Sequence, residues 1–196
     1  SDRSGAHEVW TCGADGSGPA QLTSMPATMT SGGRWSPDGR RIVFLSNAEG
    51  QMELYLTTPN GTTPRRLTDN PAHDSAPRFS RDGQWVYFAS NREDGFQVWK
   101  VRAEANGPPV RVTRGGGYGA IESTDGRTLY FTKRGEAAPW AVWKAPTGGG
   151  EEVQVIPKVA TWGDFDVTRD GITYIDSGTP GARLRLLRFS DGSDTV

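Results

Sequence analysis

The tetrapeptide Ser36-Pro37-Asp38-Gly39 lies between two short segments, and the chain contains three more stretches of its kind. The related stretches are Ser80-Arg81-Asp82-Gly83, Ser123-Thr124-Asp125-Gly126 and Thr168-Arg169-Asp170-Gly171. Their aspartates are 44, 43 and 45 residues apart. Self-similarity at a fixed spacing of about 20–50 residues indicates an array of structural repeats.

Two further columns of residues keep the same period. The first holds large side chains with spacings of 45, 44, 44 and 44 residues: Trp10, Tyr55, Trp99, Trp143 and Leu187. The second is aliphatic: Leu22, Leu67, Val112 and Val155. Because three columns keep one period over the whole chain, the sequence predicts about 4.5 repeats of about 44 residues.

Each repeat has the pattern of four short strands. Strand A precedes the Asp-Gly pair, strand B follows it, strand C contains the aromatic column, and strand D contains the aliphatic column. The strands are rich in β-branched and aromatic residues and are bounded by Gly, Pro, Asn and Asp. Asp-Gly and Asn-Gly pairs tolerate positive φ and suit the hairpins A–B and C–D. The four repeated aspartates are interpreted as turn residues that bond their own backbone.

Antiparallel four-stranded units at this spacing predict an all-β fold, a β-propeller. The expected bounds are a half blade at 1–32 (strands C and D), blades at 33–75, 76–119 and 120–163, and an incomplete blade at 164–196 (strands A to C). Three arrangements stay open. In the first, residues 164–176 complete a blade with 7–24 and leave a strand near 184–189 unpaired. In the second, the array stays open. In the third, its unpaired blade edges pair between chains.

Composition excludes several classes of partner. The chain has 22 Lys and Arg against 23 Asp and Glu, a net charge of −1, so it has no overall basic field for nucleic acid. We expect no membrane insertion, since no apolar run approaches the length of a span, and no signal-peptide pattern opens the chain. The single cysteine, Cys12, excludes an internal disulfide framework and a cysteine-based zinc cluster.

The motifs of common enzymes are missing from the sequence. There is no Gly-x-Ser-x-Gly nucleophile elbow and no glycine-rich phosphate loop. The only histidines, His7 and His73, lie in different repeats, and no His, Cys and carboxylate set has metal-ligand spacing. The sequence therefore predicts a protein without catalytic residues, metal or cofactor.

The repeats resemble a known family. Phe79-Ser80-Arg81-Asp82-Gly83, followed by Tyr87-Phe88-Ala89-Ser90-Asn91-Arg92 and then Val98-Trp99, resembles the WD-like propeller repeat of TolB-type proteins. Ser36-Pro37-Asp38-Gly39 matches the core of that repeat without a change. The likeness covers essentially the whole chain and weakens near the C-terminus, where Asp176-Ser177-Gly178 replaces the Ser-Asn-Arg motif.

The resemblance implies a propeller, usually six-bladed, that acts by binding, and it implies that this chain is a fragment of a larger propeller. It leaves three functions open: a binding or scaffold module for a protein, peptide or small ligand; the substrate-gating propeller of a prolyl-oligopeptidase-type serine peptidase; and a structural or engineered fragment without a ligand. It also implies a periplasmic or otherwise extracytoplasmic location, because TolB itself is a periplasmic partner of a lipoprotein.

Recognition is expected at one end of the propeller. Loops B–C and D–A share that end and are longer and more varied than the Asp-Gly turns at the other end. Tyr118 and Trp162 lie 44 residues apart just before strand A, at positions equivalent to about Asp74 and Thr30 in the earlier repeats. We expect the two aromatic residues either to rim the central channel as ligand anchors or to cap the step between blades.

Charged residues are expected on the same face. They are Arg92, Arg134, His73 and Asp74. We expect these side chains to pair with a partner's charged groups or with one another.

Overall fold

The computed structural model describes residues 2–26, 29–104, 107–134, 139–176, 178 and 181–196. Within that part of the chain all regular structure is β-strand. The strands are β1 (Trp10–Thr11), β2 (Ala20–Gln21), β3 (Thr30–Trp35), β4 (Ile42–Ser46), β5 (Glu53–Thr57), β6 (Arg65–Arg66), β7 (Asp74–Phe79), β8 (Trp85–Glu93), β9 (Gly95–Arg102), β10 (Val110–Arg111), β11 (Tyr118–Glu122), β12 (Thr128–Arg134), β13 (Trp140–Pro146), β14 (Val153–Val159), β15 (Phe165–Val167), β16 (Gly171–Asp176), β17 (Arg183–Arg188) and β18 (Asp194–Thr195).

The strands form antiparallel sheets that follow the sequence repeat. Strands β3 to β6, β7 to β10, β11 to β14 and β15 to β18 each form one four-stranded sheet in chain order, and β1 pairs with β2. The all-β fold of four-stranded antiparallel units is therefore confirmed. The first strand of each sheet, strand A of the repeat, lies innermost: β3, β7, β11 and β15 all contribute residues to one central cavity.

The C-terminal segment differs from the expected three strands. Asp194 and Thr195 form a fourth strand, β18, which pairs with Leu187 and Leu186 of β17. The fourth strand is polar and only two residues long, so it lacks the aliphatic signal of the other D strands. Residues 164–176 pair with β17 rather than with 7–24, so the arrangement that leaves 184–189 unpaired is wrong.

The Asp-Gly turns have the hydrogen bonds that the sequence predicts in three of the four repeats. Asp38 accepts a hydrogen bond from the Ser36 hydroxyl (2.5 Å) and another from the backbone N–H of Arg40 (3.1 Å). Asp82 and Asp125 repeat both contacts. The hydroxyl bond lowers the pKa of all three carboxyls. These aspartates are turn residues.

The core lies between neighbouring sheets. One cluster of buried side chains joins sheets β3–β6 and β7–β10, a second joins β7–β10 and β11–β14, and a third joins β11–β14 and β15–β18. Phe44, Phe88 and Phe131 are almost fully buried at equivalent places on the B strands. Sheets β7–β10 and β11–β14 are therefore apolar on both faces, which explains why their strands B and C show no clean alternation of apolar and polar residues.

Candidate functional site

A β-bulge on each of the first three inner strands shapes the centre of the molecule. The strand pairing shifts between Ser31 and Arg34, between Ser75 and Arg78, and between Tyr118 and Ile121. Gly32, Ala76 and Gly119 lie in these bulges with φ of 70°, 50° and 57°. A bulge bends its strand and redirects the neighbouring side chains. Residues on both sides of each bulge consequently line the central cavity.

The strand register gives the true equivalents of Tyr118. Tyr118 pairs with Thr132, as Ser75 pairs with Ala89 and Ser31 with Leu45. The 44-residue spacing predicts equivalents at about Asp74 and Thr30, which is one residue too early. The error for Asp74 arises because the Asp82-to-Asp125 repeat has 43 residues rather than 44.

Tyr118 and Trp162 lie together at one mouth of the cavity. Their ring centroids are 4.7 Å apart, and both residues line the cavity. The Thr132 hydroxyl lies 3.1 Å from the carbonyl oxygens of both residues, which links β12 to the segment before β15. A Cβ on Gly119 would lie 2.9 Å from the Trp162 carbonyl oxygen, so glycine permits this close approach. The two aromatic residues therefore both rim the channel and bridge neighbouring sheets.

These two rings belong to a larger aromatic group, here called the mouth cluster: Phe96, Tyr118, Trp140 and Trp162. Phe96 and Trp140 contact Tyr118 edge-on, with centroids 5.3 and 6.3 Å away. Trp162 is 40% exposed and Phe96 is 37% exposed. His73 extends the group, with its ring 6.3 Å from Phe96.

Phe96 and Trp140 belong to this site but were not among the predicted site residues. Both residues belong to strand C of their repeats and lie at its open end, next to loop B–C. A signal was present: Met52, Phe96, Trp140 and Leu184 form a column of large apolar residues with a spacing of 44. Such a column at the loop end of strand C, alongside the Tyr118 and Trp162 column, marks the face where the aromatic residues gather.

A groove of about 700 Å³ runs along the mouth cluster. Three basic residues and one acidic residue line it: Arg114, Lys133, Arg134 and Asp94. The Lys133 ammonium pairs with Glu152 and lies 4.0 Å from the centre of the Trp143 ring. Arg114 and Arg134 are exposed. The predicted site residue Arg134 therefore borders the same groove as Tyr118 and Trp162.

Asp74 and Arg92 pair with each other rather than facing solvent. An Arg92 Nη donates to both carboxylate oxygens of Asp74, at 3.0 and 3.1 Å, and the carboxylate is fully buried. The Arg92 guanidinium also lies 5.0 Å from the ring centres of Phe88 and Trp99. Burial raises the pKa of the Asp74 carboxyl, outweighing the Ser90 hydrogen bond and the Arg92 charge. We expected these side chains to pair either with a partner's charged groups or with one another. The structure shows that Asp74 and Arg92 pair with one another.

Below the mouth, the channel cavity has a volume of about 340 Å³ and two unlike sides. The arginine wall, from β3 and β7, presents Ser31, Arg34, Ser75 and Arg78. The apolar wall, from β11 and the segment 162–165, presents Tyr118, Ile121, Trp162 and Phe165. Burial lowers the pKa of the Arg78 guanidinium, and the nearby Arg34 charge lowers it further.

The site has the features of a binding surface. The described residues contain no group of three or more His, Cys, Asp or Glu side chains that could hold a metal ion. They also contain no helix long and apolar enough to cross a membrane. A concave, largely apolar surface with a few convergent charged groups is the usual form of a ligand site.

A family model described as the TolB beta propeller domain matches residues 16–157. The chain belongs to this family. TolB-type repeats thus account for the period, the Asp-Gly turns and the four-stranded sheets described above.

Individual relatives show the same likeness. The chain is 37% identical over 89 residues to dipeptidyl-peptidase 5 of Porphyromonas endodontalis, a match covering 45% of this chain and 13% of the relative. It is 31% identical over 86 residues to the Tol-Pal system protein TolB of Desulfosudis oleivorans, covering 44% of this chain and 18% of that protein. The matches therefore span less than a fifth of either relative.

Among solved structures, TolB of Acinetobacter baumannii superposes with a TM-score of 0.75. The superposition covers 95% of this chain and 47% of that chain at 18% sequence identity. This likeness shows the fold, a TolB-like β-propeller array.

Proposed function

We propose that this TolB-like propeller is a non-catalytic binding module that recognises a protein or peptide through the mouth cluster and its groove. The observation that carries the proposal is the gathering of four aromatic side chains at one mouth, two of them partly exposed. Tyrosine and tryptophan present large apolar surfaces at a low cost in side-chain entropy, and they dominate the energetics of many protein interfaces.

The surroundings of the cluster support a peptide-like ligand. The groove has a volume of about 700 Å³, and its lining includes the exposed residues Arg114 and Arg134. Strands β9, β11 and β13 fix three of the four rings, so the surface is preorganised. A preorganised surface loses less conformational entropy when a ligand binds.

The test is selection of a library of random 12-residue peptides displayed on phage against the immobilised chain. Enriched peptides are synthesised, and their affinities for the wild type, Trp162→Ala, Phe96→Ala and Trp35→Ala are measured by calorimetry. Trp35 is the matched control, since its side chain is 52% exposed near the other end of the channel.

We expect the two cluster variants to bind at least about 10-fold more weakly, since an aromatic anchor contributes about 2 kcal/mol or more. Trp35→Ala is expected to bind as the wild type does. A library that yields no binders, or binders that are insensitive to Trp162→Ala and Phe96→Ala, contradicts the proposal.

A second candidate is the substrate-gating propeller of a serine peptidase. The match to a dipeptidyl-peptidase supports this function. The two functions are distinguished by the gene around this segment. A hydrolase domain encoded downstream favours the peptidase propeller, whereas a winged-helix, kinase or lipoprotein-partner context favours the binding module. If neither context is found and no peptide binds, the third alternative, a structural fragment without a ligand, is favoured.

Location and self-association are also proposals. We propose a periplasmic or otherwise extracytoplasmic location, supported by the match to a Tol-Pal system protein. We also propose that chains associate through their blade edges. The expected result is an average molecular mass that rises with protein concentration in sedimentation experiments.

A further inference from the structure

We propose that the channel cavity binds a carboxylate attached to an apolar group, with Arg34 and Arg78 holding the carboxylate and the apolar wall holding the rest. The inference deepens the proposed function, on which it rests, by naming the chemistry that the channel recognises. A peptide with a free C-terminal apolar residue and a small apolar organic acid share this chemistry.

The two arginines occupy the same place on neighbouring inner strands. Arg34 pairs with Val43 and Arg78 pairs with Tyr87, each directly after its bulge. The equivalent residues on β11 and β15 are Ile121, which pairs with Tyr130, and Phe165, which pairs with Tyr174. All four of these inner-strand residues line the cavity, so the two positive charges face one side of it and two apolar side chains face the other.

The charge of the cavity is only partly balanced. Arg78 has one acidic neighbour, Asp166, at 4.0 Å, which is the limit of an ion pair. The Arg34 guanidinium donates to the Gly33 carbonyl at 3.1 Å and forms no ion pair with the part of the chain that the structure describes. Two guanidinium groups against one carboxylate leave a net charge of about +1 facing the cavity. This charge matches a monoanion such as a carboxylate.

A third polar group at the cavity, the Ser75 hydroxyl, has no partner among the described residues. The Ser75 side chain is 6% exposed, and its hydroxyl has no hydrogen bond to any described residue. An unpaired buried hydroxyl costs free energy, and such groups usually find a partner. Since Ser75 lines the cavity on the same wall as the two arginines, a bound carboxylate is a suitable acceptor.

The opposite wall selects the rest of the ligand. Ile121 and Phe165 are buried behind the cavity, and the rings of Tyr118 and Trp162 stand at its mouth. A volume of about 340 Å³ suits one large apolar group with its carboxylate. The two walls therefore predict an amphipathic ligand, whose charged end contacts β3 and β7.

The test is calorimetric titration of the full chain with N-acetyl-L-phenylalanine, which has both the carboxylate and the apolar group. Three further probes separate the contributions: N-acetyl-L-phenylalaninamide lacks the charge, acetate lacks the apolar group, and a hexapeptide with a C-terminal phenylalanine is supplied as free acid and as amide. The protein variants are Arg34→Gln, Arg78→Gln and, as a matched control, Arg40→Gln. Arg40 is exposed in the Asp-Gly turn at the far end.

We expect the amide and acetate to bind at least 10-fold more weakly than N-acetyl-L-phenylalanine. Arg34→Gln and Arg78→Gln are each expected to weaken the acid about 10-fold or more, since a hydrogen bond to a charged group contributes about 1.5–3 kcal/mol. Arg40→Gln is expected to have no effect. A free-acid hexapeptide that binds better than the small acid identifies a peptide C-terminus as the ligand, and the reverse order identifies a small acid.

Equal binding of acid and amide, or equal losses in Arg34→Gln and Arg40→Gln, overturns the proposal. Arg34 is exposed, so its variant keeps the test valid if Arg78→Gln does not fold. The two proposals fail separately. If the selected peptides depend on Trp162 but not on Arg34, the binding module is retained and the carboxylate site alone is rejected.

Discussion

The arginine wall and the apolar wall of the channel have nearly the same backbone and opposite chemistry. β7 and β11 have the same bulge and the same pairing with the next strand, yet one presents Ser75 and Arg78 and the other presents Tyr118 and Ile121. The repeat therefore builds the scaffold, and a few positions on each inner strand determine what the scaffold binds. Such a division is typical of folds that host many functions.

The two walls also differ in how they are held. β7 begins at Asp74, which is fixed from behind by the buried pair with Arg92. β11 follows Gly117, where a Cβ would lie 2.8 Å from side-chain atoms of Thr113 and Val98. One strand is held by an ion pair and the other by close packing of the backbone.

The largest effect is expected for Asp74→Ala. The substitution leaves the Arg92 guanidinium, whose side chain is 10% exposed, without its carboxylate. Breaking a buried pair by removing one partner costs about 3–5 kcal/mol of unfolding free energy. Urea denaturation followed by tryptophan fluorescence measures the loss. The control is Thr30→Ala at the equivalent position of β3, which removes one hydroxyl contact to Ser46 and about 1 kcal/mol. Equal losses in the two variants would refute the anchoring role of the pair.

The next effect concerns the apolar wall. Gly119→Ala forces a side chain into a positive-φ position and places its Cβ 2.9 Å from the Trp162 carbonyl oxygen. Backbone strain of this kind costs about 1–3 kcal/mol, and displacement of Trp162 adds to it. The matched control is Gly32→Ala on β3, where the nearest atom is a Leu45 methyl carbon at 3.4 Å. We expect a larger loss of stability for Gly119→Ala and a shift in tryptophan emission that Gly32→Ala does not show.

On the arginine wall, the reverse substitution at the equivalent position, Ala76→Gly, is expected to raise the free energy of unfolding. Ala76 has φ of +50°, the only positive φ among non-glycine residues of the described chain. Left-handed strain costs about 1–2 kcal/mol, and glycine's extra entropy costs about 0.5–1 kcal/mol, so Ala76→Gly is expected to stabilise by up to about 1 kcal/mol. Ala89→Gly, on the paired strand β8, is the control and is expected to destabilise. A loss of stability in Ala76→Gly would mean that its conformation is not strained.

The fold could be predicted from the sequence because turn residues, aromatic columns and period all indicated the same blade. The missed strand, β18, shows the limit: Asp194 and Thr195 carry no apolar signal, and their pairing depends on contacts such as the Tyr174 hydroxyl donating to Asp194 at 2.7 Å. Tertiary contacts of this kind determine short polar strands, and local pattern does not record them.

The site could be predicted in part. The position of Tyr118 and Trp162 at the channel mouth follows from a 44-residue spacing before strand A, and the structure places both there. The opposed walls could not be predicted, because residues three apart in a regular strand face opposite sides, and only the bulges of β3, β7 and β11 turn both of them towards the channel. One repeat is a residue shorter than its neighbour, and a shift of one residue exchanges the side chains that face the channel for those that do not.

The last effect is a change at alkaline pH that depends on Tyr174, a tyrosine behind the apolar wall. Tyr174 stands opposite Phe165 of the apolar wall, where burial and the hydrogen bond to Asp194 raise the pKa of its phenol to about 12. Because the unfolded chain ionises near pH 10, this contribution is fully present below pH 10 and is lost as the pH rises through 12. Tyr87 stands opposite Arg78 of the arginine wall, and burial and its hydrogen bond to Glu122 raise the pKa of its phenol as well. Free energies of unfolding at pH 9 and 11.5 should therefore fall less steeply in Tyr174→Phe than in the wild type, and parallel curves would show that Tyr174 has no raised pKa.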